Sequence, residues 1–566
     1  MLPVLSGRAR RNELARKPRK WHLEVDFIAV GSGIGGLTGA ITAHDEGLET
    51  VILEKASKLG GVSALSGGEI WVPNNHVMKR LGIKDSREEA KQYLDFLAGG
   101  FADPQLTEIY LDVSPVVCEY LEKKAGVRWK TIPNFADYFY PFAKGAQPQG
   151  RYLETEIFKG SDLGEWEKKS RLTPHLPCGI TAEEMFAWGG GAAMLKWDFA
   201  LLGKRISQGM RTMGPGMMAY FIKAAVIDRK IPTYLDTAVK ELVQENGAII
   251  GVRAEREGKN FWIRARKGVL LAIGSYDWNE ELTKYYEQLP EAHSACPPQI
   301  EGDHMIMCGE IGAQVAVVPT GSLGSMLGYN VPSEEAEGKP LWRLSAEGGY
   351  PHAMLVNRYG RRFCDESFYP QYSPALHVWD GRKKEHPNFP PYLIFDQNHR
   401  EKYPLGHFAP GTPLPEELVA SAPTLRELAK KLGIDADGLE AEVARFNEFC
   451  KDGVDRDFGK GSFPWANFMT GDLHNKPNPN MGPLTKPPFY GLRLTFNSVG
   501  IVSAGLKTNR NAEVMHVRGK PIPGLYAAGN TAAALDTGAG YQSGFACTRG
   551  MTWSYIAAKH CAGKWK

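Results

Sequence analysis

The feature that most constrains this chain is a glycine-rich turn between an apolar strand and a helix of small residues. Residues 25–54 read VDFIAVGSGIGGLTGAITAHDEGLETVILE and place Gly31, Gly33 and Gly36 in the spacing GxGxxG. The first glycine permits a tight turn, the second lets the backbone approach a pyrophosphate, and the third lets the helix pack on the strand. A second apolar strand ends on Glu54, whose carboxylate can accept hydrogen bonds from a ribose diol. The run predicts a βαβ unit that binds a dinucleotide at the helix N-terminus.

The residues after this unit favour a flavin over a nicotinamide. Residues 54–75 read EKASKLGGVSALSGGEIWVPNN, and residues 524–530 read GLYAAGN, a further apolar strand that ends in Gly-Asn. Small residues let the main chain run flat against an isoalloxazine ring, with N–H and hydroxyl groups near N5 and O4. The positions that we expect to contact the cofactor here are Gly61, Ser66, Gly67, Gly68, Gly529 and Asn530.

Together these blocks resemble the flavin domain of the fumarate reductase/3-ketosteroid dehydrogenase superfamily. The resemblance extends from about residue 25 to residue 562 and is weakest over 141–230. It implies an α/β fold, in which a Rossmann-like FAD domain of the glutathione-reductase type carries an inserted α+β substrate domain. It also implies non-covalent FAD, because the GGVSALSGG loop has no histidine for a covalent link. The further cofactor contacts that it implies are Val239, Gly274, Gly544 and Phe545.

The same resemblance suggests how the chain is divided. We expect a basic N-terminal extension at 1–24, a discontinuous FAD domain at 25–300 and 482–566, and a substrate domain at 301–481. Local patterns mark several elements within these segments. A hairpin turn is expected at Asn246-Gly247, and residues 354–367 should form a strand, a turn and a second strand. A helix pair follows, whose first helix is capped at Thr424 and ends at Gly433.

Composition excludes several classes of protein. The chain has 566 residues, 43% of them hydrophobic, and a formal net charge of +3, so it can bury large cores and gives no sign of nucleic-acid binding. No run approaches the apolar length of a membrane span. The 8 cysteines have no CxxC spacing, which argues against a metal site and favours free thiols in a reducing compartment, so we expect a cytoplasmic protein.

The resemblance implies a reaction type. Flavoenzymes of this group move a hydride between flavin N5 and a carbon beta to a carbonyl, while a protein group handles the alpha proton. Fumarate-type members hold a dicarboxylate with basic residues. Here the segment after RRFCDES is Phe368-Tyr369-Pro370-Gln371-Tyr372, with no arginine or lysine before Arg382. We therefore keep reduction of an α,β-unsaturated acid only as an alternative.

The C-terminal loop favours a ketone substrate. It reads AGYQSGFACTRG and contains Tyr541 and Ser543. In ketosteroid dehydrogenases the tyrosine of this loop polarises the 3-keto oxygen, and Tyr-x-Ser-Gly looks more like the Δ4-(5α) enzymes than the Δ1 enzymes. The serine would then relay a proton. Tyr369 is our preferred second tyrosine, ahead of Tyr350 and Tyr138, although packing is an equal explanation for each of these three.

The sequence therefore predicts an FAD-dependent dehydrogenase that forms a double bond next to the ketone of a 3-ketosteroid, at Δ4 or, as the nearest alternative, at Δ1. A smaller cyclic ketone and a flavin-binding scaffold without turnover are further alternatives. The electron acceptor is unidentified. A set of methionine and aromatic side chains could form an apolar pocket or ordinary core: Met185, Phe186, Trp188, Met194, Trp197, Phe199, Met210, Met213, Met217 and Met218.

Overall fold

A parallel sheet organises the first part of the fold. The computed structural model describes residues 18–176, 179–320 and 325–565. Its central strands are, in spatial order, Thr233–Tyr234, Thr50–Leu53, Leu23–Val30, Lys259–Leu271 and Pro521–Ala527. Phe27, Ile28 and Ala29 are fully buried, as expected for a parallel strand covered on both faces. The predicted α/β, Rossmann-like fold class is confirmed.

Three antiparallel strands complete this sheet. Glu513–Met515 pairs with Pro521–Ala527 and forms one edge of the sheet, and the hairpin of Thr237–Glu245 and Ala248–Arg256 extends from Lys259–Leu271. The predicted hairpin turn is confirmed, since Asn246 and Gly247 have φ of 52° and 83°, the left-handed values that a tight primed turn needs.

Two long helices pack against each other beside the parallel strands. Ile34–Asp45 follows the glycine-rich turn, and Phe545–Cys561 closes the described chain. A Cβ on Gly35 would lie 3.3 Å from the backbone oxygen of Gly550. This close approach brings the last helix of the chain beside the first, so that residues more than 500 positions apart build one site.

Two further four-stranded sheets share a hydrophobic core, and their strands pair antiparallel except for the parallel pair of His293–Ser294 with Thr495–Ser498. One has the strand order Ala353–Val356, Tyr392–Asp396, Phe489–Arg493 and Ala420–Ala422, and the other His293–Ser294, Thr495–Ser498, Ser325–Ala336 and Lys339–Leu344. Strands from both sides of the expected boundaries at 300 and 482 take part, and the boundaries themselves stay predictions. Smaller sheets are formed by Ile70–Trp71, Tyr152–Thr155 and Trp129–Thr131, by Phe158–Lys159 and Met210–Arg211, and by Val315–Val317 and Ala504–Leu506.

The other α-helices connect these sheets or pack on their surfaces. They are His76–Leu81, Arg87–Ala98, Pro104–Ala125, Ala182–Ala187, Phe199–Ser207, Met213–Ile222, Glu280–Glu287, Asp303–Glu310, Tyr369–Leu376, Gln397–Lys402, Leu425–Leu432, Ala436–Asp452 and Pro464–Thr470. The predicted helix pair is confirmed: the Thr424 hydroxyl accepts the Glu427 N–H at 3.2 Å, and Gly433 ends the first helix with φ of 70°.

One predicted strand is wrong. Ala353–Val356 forms as expected, but no strand follows the turn, and residues 361–367 are irregular. The cause is a buried ion-pair cluster, in which the Arg362 guanidinium contacts both Glu366 and Asp455 at 2.8 Å. In a regular strand the Arg362 and Glu366 side chains would lie on the same face, but the distance between them along the strand would be too long for an ion pair.

No helix in the described part of the chain is long and apolar enough to cross a membrane. Within the same residues, no group of three His, Cys, Asp or Glu side chains is placed to hold a metal ion.

Candidate active site

A single cavity of about 800 Å³ collects most of the predicted site residues. It is lined by the glycine-rich turn, by the loop after Glu54 and by the C-terminal loop. The predicted residues in its wall are Gly31, Gly33, Glu54, Gly61, Ser66, Gly67, Val239, Gly274, Tyr369, Gly529, Asn530, Tyr541, Ser543 and Gly544. Gly36, Gly68 and Phe545 lie behind this wall.

The glycine-rich turn forms a cradle that is open toward the cavity. A Cβ at Gly36 would lie 2.0 Å from the Gly31 backbone oxygen, so only glycine lets the helix begin here. A Cβ at Gly33 would meet nothing nearer than the Ser63 Oγ at 3.6 Å. The free space beside Gly33 therefore belongs to the cavity, at the positive end of the helix dipole, where a phosphate binds favourably.

Glu54 stands beside this cradle and is held in place by its neighbours. The Ser32 N–H and hydroxyl donate to its Oε2 at 2.9 and 2.6 Å, and the Ala56 N–H donates to its Oε1 at 2.8 Å. A carboxylate has about four acceptor sites, so it retains capacity for a diol. Lys55, which sequence reasoning missed, contacts Glu301 and Asp303 at 2.5 and 2.7 Å at the same end of the cavity.

Serine hydroxyls brace the loop that follows Glu54. The Ser66 hydroxyl donates to the Ser63 backbone oxygen at 2.8 Å and accepts the Gly68 N–H at 3.1 Å. Gly68 packs closely against the start of the helix Met213–Ile222. The loop is thereby fixed with the Ser66 and Gly67 main chain at the cavity wall.

The last helix directs its N-terminus at the same cavity. Gly544 is its N-cap, and Ala546 and Cys547 in its first turn line the wall. The Phe545 ring instead packs on Trp71, with ring centroids 4.9 Å apart, and its N–H donates to the Gln542 oxygen at 3.1 Å. Phe545 therefore anchors the helix in the core, and its neighbours face the cavity.

Three tyrosines converge at the cavity wall. The hydroxyls of Tyr138 and Tyr369 hydrogen-bond to each other, and the Ser543 N–H donates to the Tyr138 oxygen at 2.9 Å. The ring centroids of Tyr369 and Tyr541 are 6.1 Å apart. The structure thus brings together residues from three distant segments. Tyr138, a weaker candidate in the sequence, is a member of this cluster.

A buried polar network positions the tyrosines. The Asp137 carboxylate accepts the Trp71 indole N–H and the Gln542 amide N–H, both at 2.8 Å, and an Arg151 N–H at 2.7 Å. Gln542 also accepts the Tyr138 N–H at 3.3 Å. Asp137 and Gln542 lock the C-terminal loop to the segment before Tyr138. Sequence reasoning missed both, although they adjoin predicted tyrosines.

Burial keeps the three phenols neutral. It raises the pKa of Tyr138, Tyr369 and Tyr541, and the neighbouring Tyr541 phenol raises the pKa of Tyr138 and Tyr369 further. A neutral phenol keeps a hydroxyl that can donate a hydrogen bond. The cluster is therefore suited to polarise a carbonyl oxygen in a dry site.

The candidate apolar set divides between cavity and core. The Met217 and Met218 side chains are buried inside the core, and Phe186 packs in another core cluster. Phe199 lines the cavity and is 55% exposed, which places it at the rim. The members of the set that line the cavity are Met185, Met194, Trp197, Phe199 and Met213. These flexible and aromatic side chains suit an apolar ligand.

Comparison with known proteins agrees with this geometry. Residues 26–544 match the family described as FAD binding domain. The chain belongs to this FAD-binding family. The flavoprotein is 32% identical to a 3-oxosteroid 1-dehydrogenase of Mycobacterium tuberculosis, over 95% of this chain and 98% of the relative. It is equally 32% identical to a 4-oxocyclohexanecarboxylate 2-dehydrogenase of Sinomonas cyclohexanicum, over 95% and 93% of the two chains.

A solved structure shares the whole fold. The 3-ketosteroid Δ1-dehydrogenase of Sterolibacterium denitrificans, in complex with 1,4-androstadiene-3,17-dione, has a TM-score of 0.86 and 30% identity, and the match covers 95% of this flavoprotein and 99% of that chain. The flavoprotein is an FAD-dependent oxidoreductase. Its residues fit that cofactor, because the space beside Gly33, the spare acceptor capacity of Glu54 and two helix N-termini all face one cavity.

Proposed function

We propose that this flavoprotein dehydrogenates a 3-ketosteroid and forms a carbon–carbon double bond next to the ketone. The observation that carries the proposal is the convergence of Tyr138, Tyr369 and Tyr541 on the cavity that also contains the glycine-rich turn. FAD, when bound, accepts the hydride that leaves the carbon beta to the ketone. The protein groups then have two tasks, which are to polarise the ketone and to remove the alpha proton.

The tyrosines divide these tasks. Tyr541 faces the cavity and donates a hydrogen bond to the ketone oxygen, which acidifies the alpha C–H. Tyr369 takes up the alpha proton while its own hydroxyl proton leaves along its hydrogen bond to Tyr138, so that the phenol stays neutral. Help of this kind is typically worth about 10² to 10⁴ in rate. Ser543 orients Tyr138 through its N–H, and its hydroxyl can join the proton path.

The cofactor residues keep the roles that the sequence suggested. The cradle at Gly33 takes the pyrophosphate, Glu54 takes the ribose, and the loop of Ser66 and Gly67 lies against the flavin. Bound non-covalently in this way, FAD would also meet the remaining predicted positions in the wall, Gly61, Val239, Gly274, Gly529, Asn530 and Gly544.

The substrate is held by apolar walls. Met185, Met194, Trp197, Phe199 and Met213 offer greasy, adaptable surface to a fused-ring ketone. The electron acceptor that reoxidises the flavin is not identified. Of the cysteines that the structure describes, six are buried as free thiols, which supports the proposal of a reducing, cytoplasmic compartment.

The position of the new double bond has two candidates. Oxidation of the 1,2-bond is supported by relatives of 30% and 32% identity that are named as Δ1 enzymes. Oxidation of the 4,5-bond is supported by Ser543, because a hydroxyl at this place in the cavity wall supplies a second proton carrier. We place the 1,2-bond first, since the relatives resemble this chain over its whole length.

One substrate separates the two candidates. Incubation of the holoenzyme with 5α-androstane-3,17-dione and an artificial electron acceptor gives the 1-ene in the first case and the 4-ene in the second, which mass spectrometry and NMR distinguish. A smaller substrate, 4-oxocyclohexanecarboxylate, is tested in parallel. Turnover of this acid alone would overturn the steroid proposal.

A further inference from the structure

Glu69 places a carboxylate in the wall of the cavity, beside the loop expected to lie against the flavin. It directly precedes the strand Ile70–Trp71, which pairs with Leu153 and Tyr152. A Cβ on Gly67 would lie 2.4 Å from both Glu69 oxygens. The carboxyl group thus occupies the space that a side chain at position 67 would need, and it lines the cavity.

Glu69 differs from the other acids in the cavity wall because no described side chain hydrogen-bonds or ion-pairs with it. Among the described residues its carboxylate has a hydrogen bond only to its own backbone N–H, and it enters no ion pair. Each of the others is held by polar groups. Ser32 and Ala56 donate hydrogen bonds to Glu54, and Lys55 forms ion pairs with Glu301 and Asp303. Ser345 and Gly406 donate to Glu347, and Arg362 and Lys460 form ion pairs with Glu366.

The tyrosine cluster needs a further group to receive the substrate proton. A phenol can accept the substrate proton only if its own proton moves on, and burial raises the pKa of all three phenols. Glu69 is close enough to Tyr541 and Cys547 for its charge to raise the pKa of each. Glu69 lines the same cavity as Tyr369 and Tyr541, and a carboxylate whose pKa is raised by burial can hold a proton at neutral pH.

Burial gives this carboxyl group a suitable acidity. Burial, together with the nearby charge of Glu154, raises the pKa of Glu69 to about 7. The groups that face it are acids or neutral donors: Glu154, Tyr152, Tyr541 and Cys547. Glu154 is itself held by Lys130 and by the N–H groups of Ala182 and Glu183. A base is most effective when its pKa is near the working pH.

We propose that Glu69 is the final acceptor of the substrate proton, which reaches its carboxylate through the tyrosine cluster. The inference rests on the proposed function. The alpha C–H bond breaks, and its electron pair forms the new double bond as the beta hydride departs to bound FAD. The alpha proton passes to a phenol oxygen, which releases its own proton along the cluster, and a new O–H bond forms on Glu69. Solvent then takes this proton before the next turnover.

The test follows proton removal without hydride transfer. Holoenzyme with reduced flavin is incubated with 4-androstene-3,17-dione in D₂O, and deuterium uptake at the carbons next to the ketone is measured by mass spectrometry from pH 5.5 to 9. Wild-type exchange should rise through a midpoint near 7. Glu69→Gln should lose this midpoint and slow exchange about 100-fold, whereas Glu69→Asp should retain a midpoint and part of the rate.

A second readout does not depend on turnover. The absorbance of bound oxidised flavin should change through the same midpoint in the wild type and not in Glu69→Gln. Glu156→Gln, which removes an exposed acid whose side chain is 53% exposed, should behave as the wild type. If Glu69→Gln does not retain FAD, Glu69→Asp is used in its place. A midpoint shifted from that of the wild type supports the role of Glu69, and an unchanged midpoint overturns it.

The outcomes separate the two proposals. If the wild type neither exchanges the alpha hydrogens nor is reduced by a ketosteroid, the proposed function fails. If the wild type does both and Glu69→Gln exchanges at the same rate with the same pH dependence, the role of Glu69 is overturned and the proposed function stands.

Discussion

Replacement of Tyr541 by phenylalanine removes one hydroxyl from the cavity and leaves the ring in place. The Tyr138–Tyr369 hydrogen bond and the Ser543 N–H bond to Tyr138 do not involve the lost hydroxyl. The fold should therefore lose at most one hydrogen bond, worth about 1 kcal/mol. Loss of a donor to a developing oxyanion typically costs about 10² to 10³ in rate, or roughly 2.7 to 4 kcal/mol. We expect catalysis to fall much further than stability.

The assay is anaerobic stopped-flow reduction of the oxidised holoenzyme by a 3-ketosteroid, with thermal unfolding measured on the same samples. The limiting rate of flavin reduction should fall about 10² to 10³-fold in Tyr541→Phe. Tyr220→Phe is the control, because Tyr220 is buried in the core away from the cavity. Flavin reduction at the wild-type rate in Tyr541→Phe would refute the assignment of the ketone to this hydroxyl.

Three further variants test the cofactor cradle, the tyrosine cluster and a buried histidine. Gly36→Ala would put a Cβ 2.0 Å from a backbone oxygen of the turn, so we expect purified protein without FAD, whereas Gly203→Ala, with nothing within 4 Å, should keep a full complement by absorbance. Tyr138→Phe leaves the Ser543 N–H unpaired at a site where the tyrosine is 1% exposed, which should lower the free energy of unfolding by about 1 to 3 kcal/mol. Unchanged thermal stability would contradict that geometry. Burial lowers the pKa of His304 to about 3, from 6.5 in the unfolded chain. The unfolded state therefore binds the proton first, and stability should fall by about 2 kcal/mol between pH 6.5 and 5. His304→Asn should show a shallower dependence of melting temperature on pH over this range, and an identical dependence would contradict the assignment.

The sequence predicted best what is local in the chain. The βαβ unit that ends at Glu54 and the hairpin at Asn246 can each be predicted from a few tens of residues, because glycine positions and apolar periodicity are local features of the sequence. Tyr369 and Tyr541 were found because each lies in a motif of the family.

The parts that the sequence did not predict depend on distant contacts. Tyr138 was a weaker candidate, but its contact with Tyr369, 231 residues away, has no spacing pattern that would predict it. The contact between Asp137 and Gln542, 405 residues apart, has none either. Arg362 lies in a segment that reads as a strand, and only its buried contact with Asp455, 93 residues away, shows why the strand is lost. Glu69 follows a glycine pair and looks like an ordinary polar loop residue until the cavity is seen.

The central claim is that this cavity oxidises a ketosteroid with its bound flavin. The most direct measurement mixes oxidised holoenzyme anaerobically with 4-androstene-3,17-dione or 5α-androstane-3,17-dione and follows the flavin absorbance near 450 nm, a general band of oxidised flavins. We expect rapid bleaching with at least one of these ketones and recovery of an unsaturated ketone as the product. Flavin that stays oxidised with both ketones would contradict the central claim.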